Sequence, residues 1–234
     1  MESLKKFKSF EYGDYLYADG RTILIDEPLA EDKQKELMLL ATVDGKSLVF
    51  IDTTNLAVKL EKFLEEIANN EKDVLFVFPG NGSNYVRALS TVCKKVPSAS
   101  VFAKRVWSPG NEPYAFANHI LPEVFLHLEV GAIVVVDDVI SSGKTMNKLH
   151  QNNAWRFPRA KWIGGCWLSQ VPQMKADSGV NGYSRIVTAC VVEGPKGKKV
   201  PINSLSTLRN EPSIAKIYAK RHFSDADAFL RLIS

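Results

Sequence analysis

The sequence predicts an α/β protein built on a central, mostly parallel sheet flanked by helices. Two patterns carry that expectation. Short apolar strand-like runs alternate along the chain with helical apolar spacing, the signature of parallel strands joined by crossover helices. One run, Ile133 to Val136 (IVVV), is apolar without interruption, as a strand covered on both faces must be.

The elements follow in order. Phe10 to Ile25 (FEYGDYLYADGRTILI) places aromatic and β-branched residues on either side of Asp19-Gly20, a strong two-residue turn signal. An N-terminal hairpin is expected there. Glu31 to Leu40 reads as a short helix, and Ser47 to Asp52 as a strand. Thr53 or Thr54 is the expected cap of a helix whose Leu56, Leu60, Phe63, Leu64 and Ile67 recur at helical spacing. Asp73 to Phe78 is a buried-strand pattern. It breaks at Pro79-Gly80-Asn81-Gly82-Ser83 and resumes as a helix through Leu89. Ala99 to Trp107 is a further strand with a polar loop after it. Then come the strand at Ile133, its loop and helix, strands at Lys161 to Leu168 and Arg185 to Glu193, and closing helices over Ile214 to Phe223 and Asp225 to Ile233. Trp155, Trp162, Trp167 and Tyr183 are expected mainly in core packing. With no repeat or long linker, the chain reads as one compact domain overall. Residues 1–45 are its N-terminal hairpin region, and 46–234 its core with a C-terminal extension.

Composition narrows the function. The 234 residues carry 45% hydrophobic and 24% charged residues, and a net charge of +4. That charge suits an ordinary globular protein or one with a small anionic ligand, and it gives no reason to expect nucleic acid. The longest apolar run is too short for a bilayer, and the N-terminus MESLKKFKSFEYGDY has no signal-peptide core. Cys93, Cys166 and Cys190 are scattered and odd in number, which disfavours a disulfide framework or zinc site and fits a reducing cytoplasm.

The loops at strand ends carry the chemistry, because open parallel sheets bind ligands at their carboxyl ends. In IVVVDDVISSGKT, Asp137 and Asp138 end the strand and Ser141-Ser142-Gly143-Lys144-Thr145 turns into a helix. The Gly-Lys-Thr ending is that of a nucleotide P-loop, but the P-loop's first glycine is replaced by Asp138, whose carboxylate would repel a polyphosphate. A purely structural cap of the next helix is the plainer alternative. A sugar phosphate fits better: two carboxylates can accept hydrogen bonds from vicinal hydroxyls, and the loop's amides and hydroxyls can hold a phosphate at a helix N-terminus.

An apolar run, two acidic residues, then small residues and Gly-x-Thr resembles the phosphoribosyl-pyrophosphate motif of type I phosphoribosyltransferases. The resemblance implies their fold, with a small N-terminal β-rich hood over the base. The N-terminal stretch FEYGDYLYADGRTILID is similar to the start of orotate phosphoribosyltransferases. It implies that Asp137 and Asp138 bind the ribose hydroxyls, and that Ser141, Ser142, Gly143, Lys144 and Thr145 hold the 5-phosphate. Gly80, Asn81 and Gly82 would contact pyrophosphate. Lys104 and Arg105 would be catalytic, neutralising the leaving pyrophosphate, and Ser108 to Pro113 would be a lid. The implied ligands are phosphoribosyl pyrophosphate and a nitrogenous base, with Mg2+ held mainly by the substrate and no metal ligand assigned to the chain. The implied assembly is a homodimer.

Two departures bear on the acceptor. Ser141 stands where enzymes for 6-oxopurines usually carry Asp, and serine is no base at neutral pH. Lys144 replaces a residue commonly small in orotate and adenine enzymes. The acceptor therefore stays open, with 6-oxopurines disfavoured. A regulator that binds phosphoribosyl pyrophosphate or a nucleotide without catalysis is the alternative; Lys104 and Arg105 favour an enzyme.

Overall fold

In a computed structural model the protein is described over residues 9–45, 47–80, 82–102, 104–107, 113–117, 119–170, 180, 182–198 and 200–234. Its centre is a sheet of six strands in the order β1 (Ser9–Tyr17), β10 (Arg185–Glu193), β9 (Lys161–Gln170), β8 (Ala132–Ile140), β4 (Val74–Pro79) and β5 (Ser98–Val101). Every neighbouring pair in it is parallel.

The uninterrupted apolar run of β8 is explained by what covers it. Val134 and Val136 pack on one face with Leu56, Leu60, Leu64 and Ile67 of α2 (Thr53–Asn70). Ile133 and Val135 pack on the other with Met146 and Leu149 of α5 (Lys144–Asn153). Strand alternation sends successive side chains to opposite faces, so a strand covered on both sides takes apolar residues at successive positions, here up to Asp137 and Asp138 near its carboxyl end. The cap of α2 is Asp52, whose carboxylate accepts from the Thr54 amide at 2.7 Å. The expected threonine cap is thus displaced by one position, to the better acceptor.

The expected N-terminal hairpin does not form. β1 pairs with β10 at the edge of the large sheet, whereas β2 (Arg21–Ile25) lies in a second sheet of order β11 (Ile202–Ser204), β2, β3 (Leu48–Asp52), also parallel. The Asp19-Gly20 bend carries the chain from one sheet to the other. The Ala18 amide donates to the Glu193 carbonyl at 2.8 Å, and the Arg21 amide to the Ser47 carbonyl at 2.9 Å. A tight type I′ hairpin needs positive φ at both central residues, and neither Asp19 nor Gly20 has it. The stretch Ala99 to Trp107 also divides. β5 ends at Val101, and β6 (Lys104–Trp107) forms an antiparallel pair with β7 (Pro113–Ala117).

Helices close around the small sheet. Ile23 of β2 packs with Leu37 and Ala41 of α1 (Glu31–Val43), Leu205 and Leu208 of α6 (Leu205–Asn210), Tyr218 of α7 (Pro212–His222) and Phe229 and Ile233 of α8 (Ala226–Ile233). The small sheet is therefore a shared product of both ends of the chain. Trp162, Trp167 and Tyr183 are core residues as expected, while Trp155 is 75% exposed. Among the described residues no helix is long and apolar enough to cross a membrane.

Candidate functional site

A cleft of about 700 Å³ opens at the carboxyl ends of β4 and β8. Its floor is made by the two loops the sequence singled out. The first follows β8. Asp137 and Asp138 lie within the strand's last turns of ladder, Asp137 opposite Cys166 of β9, and both line the cleft. Asp137 is nearly buried, at 8% exposure. Backbone amides hold the carboxylates: Asp138 N–H donates to Asp137 Oδ1 at 3.0 Å, and Val139 N–H to Asp138 Oδ1 at 2.8 Å.

Past the strand the chain turns at Gly143, whose φ of +67° is left-handed and suits glycine, and enters α5. Ser141 and Thr145 line the cleft at that turn. Ser142, Gly143 and Lys144 stand in the same turn, and its amides start α5, where helix N-termini favour anions.

The second loop follows β4. Gly80 has a φ of +79°. The buried Ser83 hydroxyl lies 2.9 Å from the Pro79 carbonyl oxygen and 3.0 Å from that of Gly80, bracing the turn. Gly80 and Gly82 line the cleft, and α3 (Gly82–Leu89) begins against Asp138. The approach is close enough that a Cβ on Gly82 would stand 2.3 Å from Asp138 Oδ2.

Gly80, Gly82, Asp137, Asp138, Ser141 and Thr145 therefore share one cleft. Asn81 and the lid residues 108–112 fall outside the described residues. Lys104 and Arg105 lie on the backbone of β6, and their side chains are likewise outside the description.

The opposite wall was not legible beforehand. It comes from β11, α6 and α7, with Ile202, Asn203, Thr207, Ile217, Tyr218 and Arg221 facing the same space. Weak local signals mark it: Ser204 caps α6, accepting from the Thr207 amide at 3.3 Å, and Pro212 opens α7.

This wall is bound to the rest by polar ties. Asp26, just after β2, accepts from the Ser206 amide at 2.9 Å and from the Ser206 hydroxyl. Burial raises its carboxyl above the ordinary 3.8, against the lowering effect of its Ser206 bonds, and the charge of Asp138 adds to the rise. Tyr85 of α3 donates to Glu27 at 2.9 Å. Burial, then that bond and charge, push the phenol up. Arg209 reaches Glu27 at 3.3 Å and the Pro28 carbonyl at 3.0 Å.

No protein-family model matches the sequence, and no curated protein does. Solved structures do resemble it. The xanthine-guanine-hypoxanthine phosphoribosyltransferase of Helicobacter pylori is 17% identical, covers 68% of this chain and 92% of its own, and has a TM-score of 0.43. A hypothetical protein from Neisseria gonorrhoeae with bound ppGpp is 17% identical over 76% of this chain and 90% of its own, at a TM-score of 0.42. The adenine phosphoribosyltransferase of Trypanosoma brucei, in complex with AMP, pyrophosphate and ribose-5-phosphate, is 14% identical over 58% of this chain and 64% of its own, at 0.41. Each is a likeness of architecture, and the chemistry of the site stands on this chain's own residues.

Proposed function

We propose that the protein is a phosphoribosyltransferase, which transfers the ribose 5-phosphate of phosphoribosyl pyrophosphate to a nitrogenous base and releases pyrophosphate. One observation carries the reading. Two amide-held carboxylates, Asp137 and Asp138, sit on the floor of a cleft between the turn into α5 and the turn into α3. Such an arrangement offers acceptors for two vicinal hydroxyls, with an anion-binding helix start on each side. One turn would take the 5-phosphate and the other the pyrophosphate.

The bond from ribose C1 to the pyrophosphate oxygen breaks as the bond from C1 to the base nitrogen forms. Positive charge develops on the sugar, so fixed carboxylates nearby stabilise it and orientation lowers the barrier. Lys104 and Arg105 would neutralise the leaving pyrophosphate, and residues 108–113 would close over the site to exclude water. Bound Mg2+ would supply charge neutralisation on the diphosphate. Asp137 and Asp138 offer the hard oxygen atoms such an ion prefers, but no group of three or more His, Cys, Asp or Glu suited to a metal occurs among the described residues. In this reading the ion's ligands come mainly from the substrate. A homodimer is part of the same proposal and is read by sedimentation.

The test is to incubate the protein with phosphoribosyl pyrophosphate, Mg2+ and a panel of bases, and to follow pyrophosphate release. Turnover is expected with a base other than a 6-oxopurine, since Ser141 cannot act as the acid or base that those acceptors are served by. Tight donor binding without turnover on any base would instead identify a regulator. Absence of donor binding at millimolar concentration would overturn the reading. The paired variant Asp137→Asn with Asp138→Asn should keep its melting profile and lose donor binding; retained binding would remove the ribose role.

A further inference from the structure

The floor and the far wall of the cleft are joined by a side chain that neither loop motif contains. Gln170 ends β9 and is 1% exposed. Ser169 pairs with Ile140, so Gln170 stands beside Ser141 where β8 passes into the phosphate loop. Its Nε2 lies 3.2 Å from Ser141 Oγ and 2.8 Å from the Val200 carbonyl oxygen. A carbonyl oxygen only accepts, so the amide must present its NH2 group to Val200, and the second N–H then points to Ser141. Ser141 and Val200 both line the cleft, the first on its floor and the second where the chain enters β11 on the opposite wall.

We infer that Gln170 is a positioning residue which sets the phosphate loop at a fixed distance from the acceptor wall by donating to both at once. This rests on the phosphoribosyltransferase reading of the cleft.

Packing alone is a poor account of the residue. Its Oε1 is buried and has no hydrogen-bond partner among the described residues, and a buried carbonyl left unmet is costly. An apolar side chain of similar volume would fill the space without that cost. What glutamine adds is two donors, and both are used on cleft-lining residues. The turn at Gly80 and Gly82, by contrast, is braced by Ser83, and among the described residues no hydrogen bond joins it to Gln170.

That asymmetry supplies the test. Gln170→Met keeps the length and bulk and removes both donors. Calorimetric titrations would compare phosphoribosyl pyrophosphate, ribose 5-phosphate and inorganic pyrophosphate on the wild type and the variant. The first two depend on the 141–145 turn and should each weaken about five- to tenfold, the usual scale for lost hydrogen-bonded positioning. Inorganic pyrophosphate, held at the other turn, should bind within about twofold of wild type. Should the methionine variant fail to fold, Gln170→Asn keeps a buried amide that is one methylene too short to reach both partners, and it should show the same selective loss. Unchanged ribose 5-phosphate affinity would overturn the inference, as would a parallel loss of all three ligands, which marks general loosening. If the wild type binds none of the three, the phosphoribosyltransferase reading itself fails and the inference with it. If the wild type binds and the variants bind equally well, only the role of Gln170 falls.

Discussion

Replacing Gly82 by alanine probes how tightly the two turns of the cleft are fitted together. The new Cβ would stand 2.3 Å from Oδ2, 2.5 Å from Cγ and 2.8 Å from Oδ1 of Asp138, and ordinary contact begins at 3.4 Å, so the groups must separate by about 1.1 Å. The carboxylate cannot simply swing aside, because Oδ1 accepts from the Val139 amide at 2.8 Å. Losing a hydrogen bond to a charged group costs about 1.5–3 kcal/mol. Alanine in place of glycine returns up to about 1 kcal/mol of helix propensity at the start of α3. The net effect on stability is then a loss of roughly 0.5–3 kcal/mol. Donor affinity should fall further, by at least about tenfold, since displaced carboxylate oxygens miss the ribose hydroxyls and each factor of ten is about 1.4 kcal/mol. Thermal melting gives the first quantity, and calorimetric titration with phosphoribosyl pyrophosphate in Mg2+ the second. A variant that binds the donor within about twofold of wild type, with an unchanged melting temperature, would show that α3 relaxes away at no cost and that Asp138 is not held as described.

Two further outcomes are expected. Asp26 has a folded-state pKa raised above 3.8 chiefly by burial. The fold therefore favours its neutral form, and stability from this group is lost as pH rises out of the carboxyl range. Asp26→Asn keeps an acceptor for the Ser206 amide and removes the charge facing Asp138. It should melt higher than wild type at pH 7, with the advantage gone below about pH 4; an advantage that persists in acid would point to packing instead. Arg185 of β10 ties the edge strand and α2 together, with Nε 2.8 Å and Nη2 2.5 Å from Glu11 and Nη2 3.0 Å from Glu66. Both carboxylates are more than a third exposed, so Arg185→Ala should cost only about 1 kcal/mol in urea unfolding at low salt. The difference should shrink in 1 M NaCl, whose Debye length is about 3 Å; a salt-independent loss would assign the effect to the arginine's aliphatic packing.

The readable parts of this chain are those whose cause is local. β8 announces itself because Ile133 to Val136 are covered on both faces, and α2 because its buried residues recur along one stripe. The floor of the cleft was legible for the same reason. Asp137, Asp138, Ser141 and Thr145 fall within nine consecutive positions, and the chemistry of the segment follows from residue types and order. Asp19-Gly20 misled because a turn signal states that the chain bends and not which strand it meets next. β1 pairs with β10, and β2 lies between β3 and β11; β10 and β11 are well over a hundred residues away, and nothing near residue 20 specifies them. The Ala99 to Trp107 run failed similarly: its apolar residues suit a strand, but β5 pairs with β4 and β6 with β7.

The far wall of the cleft has the same non-local origin, and this bears on specificity. Its strand, β11, is three residues long, below what periodicity can reveal, and it exists by pairing with β2: Ile202 opposite Thr22, Asn203 opposite Ile23. On the proposed reading, the floor takes a sugar phosphate with contiguous residues. Ser141, on that floor, lacks the carboxylate with which an acceptor base could be engaged from below. On the proposed reading, discrimination between acceptors is expected from across the cleft, where Asn203, Thr207 and the face of α7 that carries Ile217 and Tyr218 line the same space. The two halves are physically separate pieces of the chain, joined across the cleft at Gln170 and braced behind it by Asp26 with Ser206 and Tyr85 with Glu27. Substitutions on the floor should therefore change whether the donor binds, and substitutions on the wall should change which base reacts while donor affinity stays put.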